Sequence, residues 1–86
     1  MTESERLAIA DRARRAKEFL DSDVMKDALE ALERANLEIL LALGPEMDLE
    51  RRDKVNQINA IRAVKAQLQA FVSEGEVIAR QQPKIA

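Results

Sequence analysis

Hydrophobic positions along this chain recur at steps of three and four, the spacing of one face of an α-helix. From Ser4 to Leu20 they are Leu7, Ala10, Ala13, Ala16, Phe19 and Leu20. This predicts a helix over 4–20, with Ser4 as its N-cap and Glu3 and Glu5 near the positive helix end. The face is thin, because half of it is alanine. Asp21-Ser22-Asp23 then interrupts the pattern. Short polar side chains compete for backbone hydrogen bonds and favour caps. Asp21 or Ser22 therefore reads as the N-cap of a second helix, and a helix continuous through this point is the alternative.

The second helix is predicted over 23–43. Met25, Leu32 and Ile39 repeat every seventh position, and Ala28, Ala35 and Ala42 form a row beside them. Leu29 and Leu43 widen the stripe. Leu37, Leu40 and Leu41 add apolar surface outside it, so this end of the helix is apolar almost all round, as in a helix covered on more than one side. Gly44-Pro45 ends the run. Glycine suits the left-handed position after a helix, and proline disfavours helical geometry in the residue before it. Pro45 can open the next helix, with Glu46 and Asp48 in its first turn, or Asp48 can cap it. A third helix is predicted over 48–74 on Val55, Ile58, Ile61, Val64, Leu68, Phe71 and Val72. Gly75 could end it; the alternative is that the helix crosses Gly75, since the spacing continues through Val77, Ile78 and Ala79, and frays before Pro83. Residues 81–86 read as a loose tail.

A short connection makes its two flanking helices antiparallel neighbours. The fold class expected is all-α: an antiparallel helical hairpin with an additional N-terminal helix, oligomerising, in a single domain over 1–86. In the expected register Leu32 faces Ile61, Leu29 faces Val64 and Met25 faces Leu68. Asn36 comes opposite Asn56 and Asn59. It reads either as a surface-edge residue or, with Asn59, as a buried amide pair that fixes register.

Charge sharpens this picture. Between Glu18 and Glu38 there are seven acids and two bases, and between Leu49 and Val72 two acids and five bases. The acidic second helix would lie along the basic third one, with Glu30, Glu33 and Glu38 reaching Lys54, Arg62 and Lys65. Arg12, Arg14, Arg15 and Lys17 form a separate basic run. It reads as a solvated face, or as a dock for an acidic protein surface or for phosphates. Without aromatic residues nearby, base stacking is not available to it. The net charge of −2 argues against a dedicated nucleic-acid binder.

Composition narrows the function classes. The chain has 86 residues, no cysteine and no histidine, which removes disulfides and the usual zinc and transition-metal ligands. Hydroxyls occur only at Thr2, Ser4, Ser22 and Ser73, near expected helix ends and without a histidine base. Asp21/Asp23 and Glu46/Asp48/Glu50 read as helix starts rather than calcium loops. No glycine-rich phosphate loop is present. The expectation is a non-enzyme with no cofactor, no metal and no small-molecule ligand. No apolar run approaches the roughly 18 residues of a membrane span. The N-terminus lacks the basic-then-apolar order of a signal peptide. The expected location is cytoplasmic.

A lone core in so short a chain is marginal and is usually supplemented by a disulfide, a metal or a partner. Here only packing or a partner is left. Two helices facing each other bury one stripe each, and Leu37, Leu40, Leu41, Phe71 and Val77 then remain to be covered. Either the first helix folds back over them as a three-helix bundle, or another chain does. Exposed apolar patches of that size mark protein interfaces.

The stretch from Ala13 to Gly75 resembles small helical proteins encoded in tailed-bacteriophage structural gene clusters. The features are Arg14-Arg-Ala-Lys-Glu-Phe-Leu before the polar break, then Ala28-Leu-Glu-Ala-Leu-Glu, the turn Gly44-Pro-Glu-Met-Asp, and Glu50-Arg-Arg-Asp-Lys running into Ile58-Asn-Ala-Ile-Arg-Ala-Val-Lys-Ala-Gln-Leu. The resemblance implies a non-catalytic structural or assembly role, with a virion location, in which short helical chains pack in many copies. It transfers no functional residue. The alternatives are a small adaptor or inhibitor of a different protein, and a nucleic-acid accessory using the basic run.

Overall fold

The computed structural model describes residues 1–81, and all regular structure among them is helical. Helix α1 spans Glu3–Asp21, α2 spans Asp23–Ala42 and α3 spans Asp48–Arg80. The expected tail over 81–86 lies outside the described residues, apart from Gln81.

The caps explain the first two boundaries. Thr2 is extended, and its Oγ1 accepts the Glu5 N–H at 3.1 Å. Thr2 rather than Ser4 is therefore the N-cap. Thr2 offers the same hydroxyl two residues earlier, so Ser4 falls inside the first turn. Ser22 makes the break between α1 and α2. Its backbone is extended (φ −70°, ψ 120°), its N–H returns to the Phe19 carbonyl, and its Oγ accepts the Met25 N–H at 3.4 Å. One residue closes one helix and opens the next.

The turn at Gly44-Pro45 differs from expectation. No described residue has positive φ, so Gly44 is not left-handed. The chain instead leaves α2 through Leu43, which is extended at φ −73°, ψ 137°. The Met47 N–H then donates to the Gly44 carbonyl at 3.1 Å. Helix α3 begins at Asp48, with Met47 as a cap that contributes no side-chain hydrogen bond. Pro45 does not open the helix and Asp48 is not its cap, but Asp48 stands with Glu50 in the acidic first turn. Helix ends leave carbonyls without partners. Here Arg51 supplies them: its Nη2 donates to the Leu43 carbonyl at 3.2 Å and to the Gly44 carbonyl at 2.8 Å. Its positive charge also suits the negative end of α2.

Helix α3 does not end near 74. It crosses Gly75 and reaches Arg80, 33 residues in all. Glycine inside a helix costs about 1 kcal/mol relative to alanine. The reason for it lies in α1. A Cβ placed on Gly75 would stand 2.3 Å from the Ala13 Cβ, closer than any real contact. Gly75 marks close helix approach rather than a stop.

Side-chain partners define how the helices lie. Arg12 meets Glu74, Glu33 meets Arg62 and Lys65, and Asn36 meets Lys54. As position rises along α1 and α2, the partner falls along α3. Helix α1 covers the C-terminal part of α3 and α2 the N-terminal part, while α1 and α2 touch each other far less. The first helix thus lengthens the assembly instead of adding a third layer. The molecule is a rod of 66 × 25 × 17 Å.

A rod two helices thick encloses little. Among the described residues only Ala16, Ile58 and Ile78 are buried. Half-buried positions trace the seam. On α2 and its cap they are Ser22, Met25, Leu29, Glu33, Asn36 and Leu40, and on α3 Arg51, Lys54, Ile61, Lys65, Leu68, Phe71 and Val72. Several are polar. The expected inward row of α2 faces outward instead, with Leu32 54% and Ile39 45% exposed. Val64, expected against Leu29, is exposed too. Both α2 rows follow a seven-residue repeat, and a rotation of about 100°, one residue, separates them. The row centred on Glu33 takes the inside, where Arg62 and Lys65 engage its carboxylate.

Candidate functional site

The basic run is placed on α1, where carboxylates of the same chain engage it. Arg12 Nη2 donates to the Glu74 carboxylate at 3.1 and 3.2 Å, and its guanidinium lies 4.2 Å from the centre of the Phe71 ring. Arg14 donates to Asp11 at 2.8 Å and to Glu18 at 2.7 Å. Arg15 also donates to Asp11. Hydrogen bonds from Arg14 and Arg15 hold the Asp11 carboxyl below its ordinary range, and the Asp11 and Glu18 carboxylates raise Arg14. Spacings of three and four along one helix make these pairs possible. Lys17 takes part in no ion pair among the described residues.

A polar layer crosses the α2–α3 seam near its middle. Arg62 Nε donates to Glu33 Oε1 at 2.6 Å, and Lys65 Nζ lies 3.5 Å from Glu33 Oε2. The Arg62 hydrogen bond is the main reason the Glu33 carboxyl sits below its ordinary range; Lys65 adds to it. Glu30 and Glu38, expected in the same network, make no cross-helix pair among the described residues. The Asn36–Asn59 pair does not form. Asn36 Nδ2 donates to the Leu32 carbonyl, and its Oδ1 accepts from Lys54 Nζ at 3.4 Å. Lys54 lies a full turn before Ile58 and so reaches the seam. Asn59 is one residue past Ile58, about 100° around the helix, and is exposed.

The expected apolar patch is split between the two ends of the rod. Leu37 and Leu40 share a shallow groove with Val55, Ile58, Asn59 and Arg62. Leu41, beside them in sequence, is 77% exposed. Phe71 is half-buried beneath Arg12 at the other end, and Val77 is exposed there. A second groove, between α1 and α3, is lined by Ala8, Arg12, Ala16, Phe19, Leu68 and Phe71.

A further apolar feature is one the sequence pattern assigned to the interior. Ala28, Leu32, Ala35, Ile39 and Ala42 are all exposed along one side of α2. With half-buried Met25 they step by three and four without interruption, as the contact row of a coiled coil does. The signal was visible in the sequence as a heptad; its direction was not.

Among the described residues, no cluster of acids is arranged to hold a metal ion, and no helix is long and apolar enough to cross a membrane. The chain matches no family model, no characterised protein and no solved structure.

Proposed function

We propose that this chain is a non-catalytic structural or assembly protein, an antiparallel helical hairpin that works by packing against other copies of itself. The imbalance between inside and outside carries this reading. Three described residues are buried, while Leu7, Val24, Leu32, Ile39, Leu41, Leu49, Val64 and Val77 are among the large apolar side chains left exposed. A lone two-helix rod cannot offset the conformational entropy of ordering its residues by burying so little. Association with further chains supplies the missing core. The resemblance to small helical proteins of tailed-phage structural gene clusters favours a role in a virion or its assembly.

The phosphate-binding alternative loses ground, because Arg12, Arg14 and Arg15 are already neutralised by carboxylates of the same chain. Thermal unfolding followed by circular dichroism over a hundredfold range of protein concentration tests the proposal. The midpoint rises with concentration if copies stabilise one another. A midpoint independent of concentration, from a monomeric protein, contradicts it.

A further inference from the structure

We infer that the row Met25, Ala28, Leu32, Ala35, Ile39, Ala42, exposed except for half-buried Met25, is a docking surface for a second copy of this chain, with the two α2 helices antiparallel about a two-fold axis passing between Glu33 and Arg34. This deepens the proposed function and rests on it.

The first argument is self-complementarity. A two-fold interface brings the same patch of both subunits together. With the axis between Glu33 and Arg34, Met25 falls opposite the partner's Ala42, Ala28 opposite the partner's Ile39, and Leu32 opposite the partner's Ala35. Each layer then holds one large side chain and one methyl group, so the layers fill evenly. Parallel pairing does the reverse: alternate layers stack large on large and alanine on alanine, which alternates crowding with voids. Tight, even packing is what gives helix pairs a unique geometry.

The row itself carries no charge, so pairing along it buries no unpaired ion.

The rod as a whole has surface to spare for a dimer. The scaling of surface with mass gives a folded monomer of 9.7 kDa about 5,100 Å². The rod exposes 6668 Å², an excess on the order of 1,000 Å². A stable interface takes roughly 800 Å² from each partner. Docking along α2 would place α2 and α3 of both copies in a four-helix centre, with each α1 projecting from it.

Spin-label distances in the full chain test this. The chain has no cysteine, so Arg34→Cys and Asp23→Cys each introduce one label site, both exposed. Antiparallel docking predicts a short inter-copy distance at 34, near the axis. At 23 it predicts an axial separation of about 30 Å, from the 1.5 Å helical rise. Ala35→Glu, exposed within one protomer, keeps the helical signal but abolishes the dimer at concentrations where the parent chain dimerises. Equally short distances at both sites overturn the antiparallel arrangement. A dimer with any other distance pattern, or one that survives Ala35→Glu, overturns this surface and leaves self-association standing. A monomer without inter-copy signal overturns both.

Discussion

Gly75 of α3 and Ala13 of α1 lie so close that a methyl group at position 75 would stand 2.3 Å from the Ala13 Cβ. The contact locks the N-terminal helix onto the distal half of α3, beside buried Ala16.

Gly75→Ala is expected to destabilise the protein, although alanine favours helix by about 1 kcal/mol. The added methyl meets another Cβ rather than a flexible side-chain end, so the helices must separate. Overpacking of this kind costs about 1–3 kcal/mol, which leaves a net loss of up to about 2 kcal/mol. Gly75→Leu should release α1 from α3. Gly44→Ala is the matched control. Its methyl would meet only the mobile Glu46 carboxylate, and position 44 has no positive φ. Its effect should stay within about 0.5 kcal/mol. Denaturant midpoints of the three variants check this ordering.

Arg51 holds the turn. Removing its guanidinium in Arg51→Ala leaves the Leu43 carbonyl to water and the Gly44 carbonyl with only the Met47 N–H. Partial exposure limits the cost to about 1 kcal/mol. Hydrogen exchange at Met47 and in the last turn of α2 should accelerate more than exchange near Ala16. Uniform acceleration throughout the rod would contradict a local role.

Glu33 makes the seam sensitive to acid. Its carboxyl is held below the ordinary carboxylate range by the Arg62 hydrogen bond and by Lys65. A depressed folded-state value means that stabilisation is present above the unfolded carboxylate value, near 4.5. It is lost as pH falls through the lowered value. Asp11, held down by Arg14 and Arg15, acts with the same sign. Glu33→Gln should therefore lower the melting temperature at pH 7 and converge on the parent chain as pH falls from the ordinary carboxylate value through the lowered folded-state one. A difference that stays constant with pH would show that Glu33 contributes by packing alone.

Much of the rod is legible in the sequence. The break at Ser22 follows from hydroxyl cap chemistry, and the three helices follow from periodicity and a Pro-containing turn. The inward face of α2 is not legible, because Met25/Leu32/Ile39 and the Leu29/Glu33/Asn36/Leu40 row both satisfy a seven-residue repeat. Contacts with α3, among them those of Arg62 and Lys65 with Glu33, distinguish the two rows, and periodicity carries no such long-range information. Gly75 is ambiguous for a different reason: glycine both ends helices and admits close neighbours, and only the position of Ala13 distinguishes the two. The apolar surplus near Leu37, Leu40 and Leu41 was legible, but its separation from Phe71 and Val77 depends on α1 lying end to end with α2.

The same surplus gives the most direct test of self-association. Light scattering coupled to size exclusion measures the mass of the full chain in solution. Packing between copies predicts a mass of twice the 9.7 kDa protomer or a higher multiple. A stable, helical species at 9.7 kDa across the accessible concentration range would contradict it.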